Sequence, residues 1–181
     1  MKHIFLDLGG VVFGASGRES GLIKWEHISA LNKIYGHGLN LGEDLFADFL
    51  TDYNQLTGHN LAGETFLESI FDTLDFNQEL VDHLRTRFHL HILSDNYREN
   101  IQYIAQRYHF DQWSERQFYS FQYGLTKSDA KLFEMVLEDL GQAAEEVILI
   151  DDDAGNLAIA ASCGIRGIQF VNNQQVFNQI S

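Results

Sequence analysis

The 181-residue chain has no proline, a single cysteine and only 12 basic residues against 26 acidic ones. Average usage would give a chain of this length about nine prolines. No turn is therefore set by a proline ring, and a cis-proline switch is excluded. Cys163 has no partner for an internal disulfide, so packing alone must hold the core, as suits a reducing compartment. The formal net charge is −14. A surface this acidic repels nucleic acid and anionic lipid, both of which are bound through Lys and Arg. Long hydrophobic runs are missing as well. The apolar stretch from Ile4 to Phe13 is interrupted by Asp7 and is followed by no cleavage signature. Nothing approaches the roughly 18 apolar residues that a membrane helix needs. The expectation is a soluble, cytoplasmic protein that binds neither nucleic acid nor membrane, of undetermined oligomeric state.

What is present is ordinary globular composition, 45% hydrophobic and 21% charged, over just more than one domain length. Short apolar runs alternate with amphipathic segments. Ile4 to Leu6, Leu90 to Leu93, Val147 to Ile150 and roughly 167–171 read as buried strands, with a weaker fifth run at Gln117 to Phe121. Residues 97–109, 129–140 and 154–163 carry helical patterns, the last stopped by Gly164. Strand and helix in alternation predict an α/β fold, an open parallel sheet with helices on both faces.

The stretch 15–76 differs, with three helical patterns and no convincing strand. The first, from Leu22 to Ile34, is closed by Gly36 and Gly38; the second, from Leu45 to Leu56, by Gly58; the third holds Phe66, Ile70 and Phe71. An all-helical insert after the first strand reads either as a lid or as helices that complete the core. The expected division is a core of 1–14 and 77–181 with a helical cap of 15–76.

Ligands of open α/β sheets bind beyond the carboxyl ends of the strands, so the residues after each apolar run matter most. These are Asp7-Leu8-Gly9-Gly10, Ser94-Asp95-Asn96 and Asp151-Asp152-Asp153, with Lys127 ahead of the third. Singly each has a plain explanation: a turn at Asp7, helix caps at Ser94 and Asp153, a solvated lysine at 127. Three adjacent carboxylates at a strand end are harder to dismiss. Two like charges about 4 Å apart repel by about 4 kcal/mol at an effective dielectric near 20, so such clusters hold a cation or a raised pKa. Carboxylate and carbonyl oxygens suit Mg²⁺. An acidic metal site beside a lysine and a hydroxyl is equipment for phosphoryl transfer. The histidines are less telling: His89 and His91 alternate on a strand and read as surface residues, while His37 and His59, beside glycines, read as loop residues.

Taken together, FLDLGGVVF at 5–13, HILSDN at 91–96, GLTKSDAKLFEMVLEDLG at 124–141 and VILIDDDAGNLAIAASCGI at 147–165 resemble the haloacid dehalogenase superfamily of phosphohydrolases. Within it they most resemble the branch of sugar-phosphate phosphatases and the N-terminal phosphatase domain of epoxide hydrolases. The resemblance implies a three-layer Rossmann-like sheet with a small helical cap inserted after the first strand. It implies a Mg²⁺-dependent phosphatase acting on a small phosphorylated metabolite, such as a sugar phosphate. Asp7 would be the nucleophile, forming an aspartyl-phosphate. Asp7, the Gly9 carbonyl and Asp152 would hold Mg²⁺. Ser94 and Asp95 would stand at the phosphate, and Lys127 would neutralise both nucleophile and phosphoryl group. Asp151 and Asn156 would support them.

Three positions depart from the family pattern. Most family phosphatases carry an aspartate two residues after the nucleophile, which protonates the leaving group and then activates water; here that residue is Gly9. Help of that kind is worth about 10²–10⁴-fold in rate, so substrates with good leaving groups should suffer least and a phosphomutase is disfavoured. Ser128 stands where proline is usual, and Asn156 where aspartate is. A haloacid dehalogenase proper fits poorly, because its nucleophile is typically followed by an aromatic residue and glycine. A two-component receiver domain would place its acid pair near the N-terminus and have no helical insert. The remaining alternative is a binding or regulatory protein weakened in catalysis by the loss of the acid at Gly9.

Overall fold

The computed structural model describes residues 2–180. The chain opens with β1 (His3–Leu6) and a short strand β2 (Phe13–Ala15). Helices α1 (Trp25–Leu41), α2 (Phe46–Thr57) and α3 (Gly63–Phe71) follow, then β3 (Leu74–Phe76). From there helix and strand alternate: α4 (Gln78–Arg85), β4 (His89–Ser94), α5 (Arg98–Arg107), β5 (Arg116–Tyr119), α6 (Ser120–Tyr123), α7 (Ala130–Leu140), β6 (Val147–Asp151), α8 (Ala154–Ser162), β7 (Arg166–Gln169) and α9 (Asn173–Ile180).

Five strands form a parallel sheet in the order β5-β4-β1-β6-β7. Its central strands are apolar along most of their length because helices cover both faces. Alternation at period two divides their side chains between two cores. Ile4, Leu6, Leu90, Ile92, Ile148 and Ile150 belong to one, while Phe5, Leu93, Val147 and Leu149 belong to the other. Leu6 lies beside Ile92 on one side and Ile150 on the other. This register brings the chain out at Asp7, Ser94 and Asp151 along one edge of the sheet. The five expected strands and the helices over 97–109, 129–140 and 154–163 are all present, and the fold is α/β as anticipated.

The structure corrects three readings. The region 15–76 does contain strand: β2 pairs antiparallel with β3, Phe13 opposite Phe76 and Ala15 opposite Leu74. Three residues per strand are too few to show a period of two. Second, α1 does not stop at Gly36 and Gly38. A glycine inside a helix costs only about 1 kcal/mol, and the buried Ile28, Leu31 and Leu39 carry the helix through to Leu41. It ends at Gly42 in the left-handed region, φ 92°, and it begins only at Trp25, after Leu22 and Ile23. His37 is therefore a helical residue.

Third, His91 is not on the surface. It is 1% exposed on the face of the sheet that also carries Phe5 of β1 and Phe118 of β5, with its Nε2 3.0 Å from His3 Nδ1. Burial, with the neighbouring His3 adding to it, pushes the His91 imidazole down to about 4. The unfolded chain takes up this proton near pH 6.5, whereas the folded chain does not until about 4. Stability is thus complete above pH 6.5 and declines as pH falls towards 4. Urea titrations are expected to show about 2 kcal/mol less stability at about pH 5 than at about pH 7.5 from this group, a difference that His91→Leu removes. An unchanged pH slope in that variant would contradict the assignment.

Candidate active site

After Leu6 the chain turns tightly. The Asp7 N–H donates to the Ile150 carbonyl (3.0 Å), Val12 and Phe13 N–H donate back to Leu8 O (3.0 and 2.8 Å), and Gly10 N–H donates to Phe13 O (3.0 Å). This closed loop fixes Asp7 at the end of β1 with its side chain in the interior. Gly10 makes the turn possible: its φ is +70°, and a Cβ there would fall 2.3 Å from Asp152 Oδ2. Without a side chain, the loop and the Asp152 carboxylate come into direct contact. Gly9, one residue earlier, is exposed and, chain neighbours aside, has no heavy atom within 4 Å of where a Cβ would project.

Lys127 is the central cation. It is 1% exposed, with Nζ 2.8 Å from Asp7 Oδ1 and 2.6 Å from Asp151 Oδ2. Burial alone would lower its pKa, but the two carboxylates reverse that and hold it above the ordinary lysine range. Burial pushes the Asp7 carboxyl up to about 6, an effect Lys127 opposes and Asp151 reinforces. The backbone of Lys127 is anchored too, since its N–H donates to both carboxylate oxygens of Asp95 at 2.9 and 3.1 Å. Burial raises Asp95, and Lys127 draws it back. The Asp95 carboxylate thus acts on Lys127 through the main chain.

Asp151 is fully buried and accepts from the Asp153 N–H (2.8 Å) and from Asn156 Nδ2 (3.2–3.3 Å) as well as from Lys127. Asp153 caps α8, taking the Gly155 and Asn156 N–H groups at 2.6 and 3.1 Å. That cap turns Asn156 back towards Asp151. Ser94, at the end of β4, is buried, and its hydroxyl hydrogen-bonds no other described residue. Asp7, Lys127, Asp95, Asp151 and Asn156 form one hydrogen-bonded network, while Asp152 and Gly9 stand at its open side.

Carboxylate oxygens of Asp7, Asp151 and Asp152 lie within 4.8 Å of one another. A hard divalent cation prefers oxygen donors of this kind, and the missing Cβ at Gly10 lets Asp152 reach the group. These residues fit Mg²⁺. Asp151 joins the acid cluster more closely than its place in the sequence suggested. The contribution of Gly10 was missed, although the Gly-Gly pair after Asp7 was the available signal.

The model of the haloacid dehalogenase-like hydrolase family matches residues 1–164. Among solved structures, a haloacid dehalogenase family enzyme from Bacteroides thetaiotaomicron superposes with a TM-score of 0.78 at 18% identity, over 100% of this chain and 98% of its own. The same enzyme in complex with magnesium and inorganic phosphate gives 0.70 at 20% identity over 93% of each chain. A predicted hydrolase of this kind from Porphyromonas gingivalis gives 0.67 at 22% identity, over 99% of this chain and 96% of that one. Among curated proteins, drimenol cyclase from Aspergillus calidoustus is 32% identical over 73 residues, which span 39% of this chain but only 14% of that protein. No helix among the described residues is long and apolar enough to cross a membrane.

Proposed function

The chain belongs to the haloacid dehalogenase-like hydrolase family, and from that premise we propose that it is a Mg²⁺-dependent phosphomonoesterase working through Asp7. The observation that carries this reading is the ion pair of Asp7 and Lys127, 2.8 Å apart and buried, at the edge where the Asp152 carboxylate and the free Ser94 hydroxyl also stand. A structural carboxylate has no need of a buried lysine on one side and two further acids on the other. A nucleophile that must approach a phosphate dianion does.

Mg²⁺, held by Asp7, Asp152 and the Gly9 carbonyl, would supply positive charge to the phosphoryl oxygens. The protein's own groups do the rest. One Asp7 oxygen attacks phosphorus as the bond to the leaving oxygen breaks, giving an aspartyl-phosphate and an alkoxide or phenoxide that takes its proton from solvent water. Water then attacks phosphorus, releasing inorganic phosphate and restoring the Asp7 carboxylate. Lys127 hydrogen-bonds the Asp7 oxygen that stays behind and balances charge on the transferring group. Ser94 donates to a phosphate oxygen. Asp151 and Asn156 keep the ammonium aimed, and Asp95 fixes the lysine's main chain. The substrate is a small phosphorylated metabolite, for which a sugar phosphate is the leading class, encountered in the cytoplasm.

Hydrolysis of p-nitrophenyl phosphate tests this. Turnover is expected with Mg²⁺, lost with EDTA, restored by added Mg²⁺, and reduced on the order of 10³-fold or more by Asp7→Asn. Gly9 favours a second reading, a binding protein without efficient turnover, because it brings no side-chain acid to that position. Turnover in the wild type no greater than in Asp7→Asn would put that reading first.

A further inference from the structure

β5 ends at Tyr119, opposite Ser94 at the end of β4. Past that pair the ladder stops, although Asp95 lies just beyond it on one side and Lys127 a few residues beyond it on the other. Ser120, the first residue after β5, has no exposed surface. Its hydroxyl is used in both senses: Oγ accepts the Asn96 N–H at 3.1 Å and donates to the Asn96 carbonyl at 3.2 Å. A hydroxyl carries one donor and two acceptor sites, so this single side chain replaces the main-chain pairing that the ladder no longer supplies. Alanine there would leave both Asn96 groups without that partner.

The Ser120 carbonyl is engaged as well. It accepts from the Gly124 N–H, where α6 ends in the left-handed region (φ 64°), and from the Leu125 N–H at 3.4 Å. The chain then runs to Lys127, whose N–H returns to the Asp95 carboxylate at 2.9 and 3.1 Å. A ring is closed: Asn96 to the Ser120 hydroxyl, the Ser120 carbonyl to Gly124, along the chain to Lys127, across to Asp95 and back to Asn96. Lys127 needs such support. It lies in the turn ahead of α7, in neither helix nor strand, yet its ammonium is held 2.8 Å from Asp7. A flexible stem carries that ammonium, so drift of the main chain would carry Nζ away from the nucleophile.

Taking the phosphomonoesterase reading as its basis, we infer that Ser120 is a positioning residue for the reaction. Its hydroxyl orients Asp95 by fixing the Asn96 peptide groups, and Asp95 sets the main chain from which Lys127 reaches Asp7. Ser114, just ahead of β5, supplies the control. It too is buried with its hydroxyl used twice, donating to Phe110 O at 2.8 Å and accepting from Gln117 Nε2 at 3.1 Å. It stands at the amino end of the strand, away from the rim that carries the site.

Wild type, Ser120→Ala and Ser114→Ala are compared in two measurements: exchange of the Lys127 amide hydrogen by NMR, and steady-state hydrolysis of p-nitrophenyl phosphate with Mg²⁺. In Ser120→Ala the amide is expected to exchange about tenfold faster, as the ring opens locally. Its kcat should fall about tenfold to a hundredfold with KM changed less than about threefold, since misplacement by about 1 Å costs on the order of 10²-fold. Ser114→Ala should show neither effect. A role confined to stability would lower the denaturation midpoint of both variants and the kcat of neither. In an Asp95→Ala background, Ser120→Ala should lower kcat by no more than about twofold further, because the residue it acts through is gone.

Wild-type kcat in Ser120→Ala, an equal loss in Ser114→Ala, or a loss repeated in full in the Asp95→Ala background would overturn the inference. Should Asp95→Ala not fold, the first two comparisons still decide it. The underlying reading fails separately: wild-type turnover no greater than that of Asp7→Asn removes the hydrolase and the part of Ser120 in it, while exchange at Lys127 still reports whether the ring holds. Turnover with Lys127 exchange unchanged in Ser120→Ala removes the ring alone.

Discussion

Replacing Lys127 with methionine is expected to remove about 3–5 kcal/mol of stability at neutral pH, because it leaves buried carboxylates without their counter-charge. Nζ lies 2.8 Å from Asp7 and 2.6 Å from Asp151, which is wholly buried. With the ammonium gone, Asp151 retains the Asp153 N–H and the Asn156 amide, but Asp7 has no comparable side-chain donor. Asp7, whose carboxyl burial already pushes up to about 6, would then bind a proton in the folded chain at pH values where the unfolded chain, with aspartate near 3.9, does not. Its folded pKa lies above the unfolded one, so stability is gained as pH falls. The deficit of the variant against the wild type should therefore be larger at about pH 8 than at about pH 5. Adding Asp151→Asn should restore part of it, because only one buried acid would remain. Denaturant titrations of the four proteins of that cycle at both pH values measure the coupling directly. A deficit independent of pH would mean that the lysine matters through packing, not charge. Turnover of p-nitrophenyl phosphate should fall to background in Lys127→Met even where the variant is folded.

The sheet was legible in the sequence because parallel strands covered on both faces must be apolar along their whole length, as Ile4–Leu6 and Val147–Ile150 are. The rim was legible for the complementary reason: a carboxylate directly after such a run has nowhere to go but the strand's end. Other features depend on tertiary contacts that leave no local trace. His91 looks like one of a polar pair on a half-exposed strand, and only the neighbouring Phe5 and Phe118 show it to be interior. The pairing of β2 with β3 joins residues about 60 positions apart through three-residue strands. Gly36 and Gly38 carry the signature of a helix end, yet packing of Leu39 overrides it. The shared hydrogen bonds of Asp95 and Lys127, 32 positions apart, could not be read from either segment alone.

Gly9→Asp is expected to raise turnover of alkyl phosphates, by up to about 10²-fold and within the 10²–10⁴ range of general acid catalysis, while changing p-nitrophenyl phosphate little. The structure has room for the change. Gly9 is exposed, no heavy atom beyond its chain neighbours lies within 4 Å of the position its Cβ would take, and its φ lies outside the left-handed region that Gly10 occupies. A Cβ at 9 therefore meets no other part of the fold, whereas one at 10 would run into Asp152. The difference between substrates follows from the leaving oxygen. An alkoxide is a strong base that must be protonated as it departs, whereas p-nitrophenolate leaves unaided, so an acid helps the first and not the second. The ratio of kcat/KM for an alkyl phosphate to that for p-nitrophenyl phosphate isolates this effect from any change in binding of the phosphoryl group. The alkyl profile should also acquire a new limb at high pH, where the introduced acid loses its proton, that the aryl profile lacks. A ratio that stays at the wild-type value in a folded, Mg²⁺-dependent variant would mean that position 9 does not face the leaving group. The acid would then have to come from elsewhere in the site.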